Sequence, residues 1–159
     1  MLATLGAPPS GGGNAVEWKF DGQRATIVVE EAVLDGEIVA VDEAGRPSFT
    51  LLQRRWPQQR RPRLELLREV PVRLLAFDLL SLDGRDVTSY PYGQRRELLD
   101  ALMVIEKSPV LTVPPALVDV SPADMLEVAS AHSMEGILCA VSKPVRCSAE
   151  FVGDESVQR

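Results

Sequence analysis

Lysine is almost missing from the first two thirds of this chain: Lys19 is the only one before residue 107. Histidine and cysteine are as scarce, with His132 the single imidazole and Cys139 and Cys147 the only thiols. Two cysteines are too few for a disulfide framework and fit no metal-ligand spacing. One imidazole leaves little with which to build a zinc site. No apolar run approaches the ~18 residues that a membrane-spanning helix needs. MLATLGAPPSGGGNA, residues 1–15, has neither the basic start nor the apolar stretch of a secretory signal. GAPPSGGG, 6–13, lacks the GK[ST] ending and the preceding strand of a phosphate loop, and reads as part of a flexible lead-in over 1–14. Together these absences predict a soluble, cytoplasmic protein with no membrane partner.

What is present fits a globular protein. The 159 residues are 45% hydrophobic and 25% charged, enough for one mid-sized domain or two small ones with a real core. The net charge of -6 argues against wholesale coating of nucleic acid. Local arrangement still decides the potential of a groove, and RRWPQQRRPR, 54–63, gathers five arginines around one tryptophan. That segment reads either as a solvated loop or as a phosphate-contacting one.

Periodicity predicts the elements. VEWKFDGQRATIVV, 16–29, alternates as one strand, with Val16, Trp18 and Phe20 on one face and Glu17, Lys19 and Asp21 on the other. AVLDGEIVAV, 32–41, is a second strand, closed by the turn signal DEAGRP. SFTLLQRR is a short helix capped by Ser48, and LELLREV, 64–70, is another, stopped by Pro71. VRLLAFDLLSL, 72–82, is nearly all apolar and reads as a central strand ending in the turn DGR. YGQRRELLDALM has helical spacing. SPADMLEVASAH has a Ser cap, an early Pro and an early Asp, the usual start signals of a helix. MEGILCAV, 134–141, follows as a strand. This mixture predicts an α+β fold with largely antiparallel sheets.

Four short pieces can carry chemistry. Lys19, between two carboxylates two residues away, is either a surface lysine paired with Glu17 or Asp21 or a nucleophilic amine held against a phosphate. An exposed pair would contribute under about 1 kcal/mol. A free lysine amine, with a pKa of about 10.4, is neutral only roughly once per thousand molecules at pH 7, so a nucleophile needs activation. Asp35 and Glu37 flank Gly36, read as room for a close-approaching ligand. These acids are either a solvent face or oxygen ligands for a ribose hydroxyl or a hard metal. Phe77 is either core or a stacking wall for a base. Glu135 stands just after a helix, ahead of a glycine.

In this order, KFDGQR at 19–24, LDGEIV at 34–39, FDLL at 77–80 and MEGIL at 134–138 resemble the successive motifs of the covalent nucleotidyltransferases. SFTLLQRR and AFDLLSLDGRDVTSYPYGQRRELL resemble the ATP-dependent DNA ligases of bacterial double-strand-break repair in particular. The resemblance implies the covalent nucleotidyltransferase fold, the ATP-grasp-like adenylation fold of DNA ligases, with antiparallel sheets flanked by helices. It implies that Lys19 is the catalytic residue, attacking the α-phosphate of ATP and carrying AMP as a phosphoramidate. Gly22 then leaves space for the nucleotide to approach, Arg24 contacts the nucleotide, Glu17 lies by the adenine and Phe77 stacks on it. Glu37 touches the ribose or a metal, Glu135 helps place a divalent ion, normally Mg2+, and Lys143 matches a late nucleotide-binding lysine. AMP passes to a 5′-phosphate, and the 3′-hydroxyl displaces it. The implied partners are nicked or broken double-stranded DNA and Ku or other end-joining proteins, with the chain acting as a monomer.

Departures from the family pattern bound this reading. VVEEAVLDGE joins the lysine strand to the DGE strand almost directly, without the usual SRNG-like segment. Ala140 stands where the glutamate motif usually ends in lysine. The expectation is an adenylation domain over 15–152 that lacks internal segments of the full protein, with 153–159 the start of an OB-fold domain. Rival readings are an RNA ligase, a capping-type guanylyltransferase, or a catalytically dead relative that binds DNA or a repair partner.

Overall fold

The stretch 14–29 makes two strands, and they lie in different sheets. The alternation is real, but Phe20, Asp21 and Gly22 leave the ladder, so the single strand expected over 16–29 is corrected to two. The structure, a computed structural model, describes residues 4–9, 13–56, 63–105, 108–132, 134–141 and 148–152. Along the chain run β1 (Thr4–Leu5), β2 (Asn14–Lys19), β3 (Gln23–Val29), β4 (Ala32–Ala40), α1 (Phe49–Arg55), α2 (Leu64–Glu69) and β5 (Val72–Leu82). Then come β6 (Arg85–Asp86), α3 (Tyr92–Ile105), β7 (Leu111–Thr112), β8 (Leu117–Val118), α4 (Pro122–Ala131), β9 (Gly136–Val141) and β10 (Ser148–Val152). The fold is α+β, and the helices and longer strands fall close to where periodicity put them.

The chain divides into two compact units. The first comprises Met1–Phe20, Tyr90–Gln94 and Pro114–Arg159. Its sheet has the order β1-β10-β9-β2-β8, antiparallel except where β1, inside the expected lead-in, runs parallel to β10. Val16, Ile137 and Cys139 bury against Ala129 of α4, with Trp18, Met125 and Leu126 packed around them. Ser121 caps α4 by accepting from Asp124 N–H, with Pro122 in the first turn. His132 closes that helix at its C-terminal end and is exposed.

The second unit comprises Asp21–Ser89 and Arg95–Val113. Its sheet has the order β3-β4-β5-β6, with β7 parallel to β5. Ile27, Leu34, Ala76, Leu79 and Leu99 form its main core, and Leu52 and Val70 seal a smaller one under Ala40. Ser48 caps α1 as expected, accepting from Leu51 N–H. Asp83 and Gly84, both at positive φ, make the two-residue turn from β5 to β6, the conformation that Asp-Gly favours.

The join from β3 to β4 is a two-residue turn at Glu30 and Glu31, with Val29 opposite Ala32. Glu30 sits at φ 47, where a side chain with a Cβ is strained by roughly 1–2 kcal/mol. Glu30→Gly is therefore expected to raise stability by roughly 0.5–1 kcal/mol, part of the relief being offset by backbone entropy. The midpoint of urea unfolding should move up; an unchanged or lower midpoint would contradict the strain.

Candidate functional site

In the first unit, strand alternation divides β2 into two faces. Val16 and Trp18 look to α4, so Ala15, Glu17 and Lys19 occupy the opposite face. Across the ladder, Lys19 stands opposite Gly136, Glu17 opposite Leu138 and Ala15 opposite Ala140. Gly136, at φ 155, holds a backbone conformation essentially reserved for glycine, and it puts no side chain beside the lysine. The Lys19 ammonium donates to Glu135 Oε1, a carboxylate 116 residues away in sequence. Lys19 is only 17% exposed and Glu135 32%. Glu17 accepts a hydrogen bond from the Tyr92 hydroxyl at 2.8 Å. Asp21, expected beside Lys19, is exposed in the second unit.

The second unit presents Arg24, Glu37 and Phe77. Arg24 makes a fork with buried Asp35, Nε to Oδ1 at 3.0 Å and the second nitrogen to Oδ2. That hydrogen-bonded carboxylate, with Glu37 and Asp78 nearby, holds the Arg24 guanidinium above its usual basicity despite partial burial. Its side chain is 43% exposed, so it is both charged and reachable. Asp35 faces Asp78 across the sheet, and Asp78 accepts two bonds from buried Arg95, at 2.7 and 2.8 Å. Two arginines thus neutralise two acids that would otherwise repel each other. This network was missed in the sequence; the hint was two acids at matching depth in adjacent strands.

Phe77 owes its placement to a β-bulge. Asp35 pairs with Asp78 and Gly36 with Ala76, so Phe77 is an extra residue on β5. It is half-buried, while Ala76 and Leu79 of the same strand lie in the unit's core. A bulge re-aims a side chain out of the strand's alternation, which is how a phenylalanine within an apolar run escapes that core.

Two glycines read as openings for a ligand are corrected. A Cβ on Gly36 would lie 2.4 Å from the Leu75 carbonyl oxygen, and one on Gly22 would lie 2.4 Å from that of Ile38. The space beside each is filled by a neighbouring strand, and each glycine is needed for that close approach.

Lys143 lies outside the described residues, as do Cys147 and Arg60 and Arg61 of the arginine-rich segment. Among the described residues no group of three or more His, Cys, Asp or Glu side chains is assembled as a metal site. No helix there is long and apolar enough to cross a membrane. Cys139 is 1% exposed, and burial pushes its thiol above the usual range, so it stays protonated and shielded near neutral pH. In a Cys147→Ser variant, a thiol-reactive dye should label Cys139 only after denaturant is added. Rapid labelling of the native protein would contradict that placement.

Comparison with known proteins supplies what geometry alone does not. The family model described as ATP dependent DNA ligase domain matches residues 25–144, a span that begins after Lys19. A DNA ligase from Aeropyrum pernix is 34% identical over 145 residues, covering 65% of this chain and 24% of that protein. The multifunctional non-homologous end joining protein LigD from Mycolicibacterium smegmatis is 39% identical over 84 residues, covering 53% of this chain and 10% of its own length. A solved structure of mycobacterial DNA ligase D complexed with ATP and MES superposes with a TM-score of 0.73 at 25% identity. It covers 95% of this chain and 58% of the other. The chain therefore spans less than a quarter of either sequence relative.

Proposed function

The chain belongs to the ATP-dependent DNA ligase domain family, and from that membership we propose that it forms a covalent lysyl-AMP at Lys19 and passes the AMP to a DNA 5′-phosphate. The observation that carries this is the Lys19–Glu135 pair. A lysine that is 17% exposed, bound to a carboxylate from a distant strand end and facing a glycine, is an amine held in place rather than a solvated surface charge.

The lone pair of neutral Nζ forms a bond to the α-phosphorus of ATP, the bond from that phosphorus to the bridging oxygen breaks, and pyrophosphate leaves. The ammonium must first give up one proton, and the nitrogen loses a second as the phosphoramidate forms. Glu135 is the group placed to hold a proton at Nζ. By family pattern, Glu17 faces the adenine, Phe77 stacks on it, Arg24 contacts the nucleotide, and Glu37 touches the ribose or a metal. Lys143 is assigned to the nucleotide by family pattern alone. The AMP then activates a 5′-phosphate in nicked or broken double-stranded DNA, and the 3′-hydroxyl displaces it.

Mg2+ fits the donor chemistry, since Glu135 offers hard carboxylate oxygens and the nucleotide phosphates would supply others. When bound it neutralises phosphate charge and favours the deprotonated amine. Ku or related end-joining proteins are proposed as partners, on the strength of the LigD relatives. Residues 15–152 are assigned to the adenylation domain, and an OB-fold domain is proposed to follow.

The test is to incubate the protein with Mg2+ and ATP labelled at the α-phosphate, denature it, and look for label retained on the chain. Retained label supports the reading; absence of label overturns it and favours a DNA-binding relative without adenylation. Ala140 favours that second reading, since it stands on the same face as Lys19 where the family pattern has lysine. Label from GTP alone would point to capping chemistry.

A further inference from the structure

Tyr92 is the first residue of α3, yet it belongs with the first unit and reaches back 75 residues to β2. Its hydroxyl donates to Glu17 Oε1 at 2.8 Å, and both residues are half-buried. Glu17 and Lys19 lie on one face two residues apart, roughly 7 Å along the strand. A nucleoside monophosphate can lie along such a span, base towards Glu17 and phosphate towards Lys19.

We propose that Tyr92 is a positioning residue for base selection, holding the Glu17 carboxylate turned so that it accepts from the 6-amino group of adenine. The inference rests on the nucleotide reading above and adds a residue to it. An ionised carboxylate only accepts hydrogen bonds. Adenine presents an N–H donor at its 6-position, whereas guanine presents an oxygen acceptor there. A carboxylate fixed at that position attracts the first base and repels the second. A glutamate has three side-chain torsions to immobilise, and an unfixed one would swing away from the guanine oxygen at little cost. The phenolic donor removes that freedom. Tyrosine suits the task because its ring is rigid and its hydroxyl can donate into a carboxylate without adding a full charge beside the lysine.

The experiment compares wild type, Tyr92→Phe and Glu17→Gln, with α-labelled ATP and GTP over a concentration series. Phenylalanine keeps the ring and deletes only the donor. For Tyr92→Phe the expected result is a KM for ATP raised about tenfold, within the range for a lost hydrogen bond to a charged group. Its kcat for adduct formation should stay within about twofold, and the preference for ATP over GTP should fall about tenfold. Glu17→Gln, whose amide can also donate, should shift the preference towards GTP even if Tyr92→Phe folds poorly. An unchanged ATP-to-GTP ratio in both variants overturns the proposal, as does an equal loss with both nucleotides accompanied by a lower melting midpoint.

Failure of the covalent reading would look different: wild type would take label from neither nucleotide. Base selection is then read from thermal protection by unlabelled ATP and GTP. Preferential protection by ATP, lost in Tyr92→Phe, supports the role of Tyr92. Equal protection, or none, in wild type overturns it.

Discussion

Lys19→Ala removes nucleotide-dependent labelling of the chain, with adduct formation falling by at least about 10³-fold. The loss is large because the variant lacks the atom that bonds to phosphorus, and Lys107, the next lysine along the sequence, is 88 residues further on. Lys19→Arg should fail almost as completely. A guanidinium keeps its proton at any accessible pH and has no lone pair to offer. Neither variant should lose its fold, since Lys19 is at the end of β2, outside the buried cluster of Val16, Ile137 and Cys139. Circular dichroism and the urea midpoint distinguish a dead site from an unfolded chain. Full labelling of a folded Lys19→Ala protein would remove Lys19 as the nucleophile.

Gly36→Ala is expected to destabilise the second unit by roughly 3 kcal/mol or more, one of the larger effects of a single added methyl group. The new Cβ would meet the Leu75 carbonyl oxygen at 2.4 Å, Ile27 Cδ1 at 2.9 Å and Ala76 Cα at 3.1 Å. The isoleucine tip can rotate away, but two of the three obstacles are backbone. Relief requires β4 and β5 to separate where the ladder already shifts register at Asp35 and Gly36. Asp35 would move with them, disturbing its fork with Arg24. Gly93→Ala is the control. Nothing lies within 4 Å of its added Cβ, and in a helix alanine is favoured over glycine by roughly 0.5–1 kcal/mol. A large drop in the urea midpoint for Gly36→Ala with no loss for Gly93→Ala is the expected pattern. Comparable midpoints for the two variants would contradict the packing described.

Much of the local structure was legible. Ser48 and Ser121 announced their helices because a cap hydrogen bond involves residues three apart. VRLLAFDLLSL announced β5, because a central strand packed into a core is nearly all apolar. KFDGQR, LDGEIV, FDLL and MEGIL, in that order, were enough to place the family. What failed was inference about space. Gly22 and Gly36 were read as gaps for a ligand, but a missing side chain shows only that something comes close. Only the fold says whether that something is a substrate or the next strand. Alternation likewise ran through Phe20 and Asp21 without revealing that the chain changes sheets there.

The sequence by itself therefore determined which residues could do chemistry: a nearly solitary lysine, the acids around it, and a phenylalanine in an apolar run. The tertiary structure decided the pairings. Glu135 meets Lys19 across 116 residues, Tyr92 meets Glu17 across 75, and Arg24 pairs with Asp35. A bulge frees Phe77 from the strand's alternation. Periodicity and capping depend on neighbours a few residues apart, so they can be read along the chain. Ion pairs, bulges and close strand contacts depend on register between distant segments, and that register exists only once the sheets have formed.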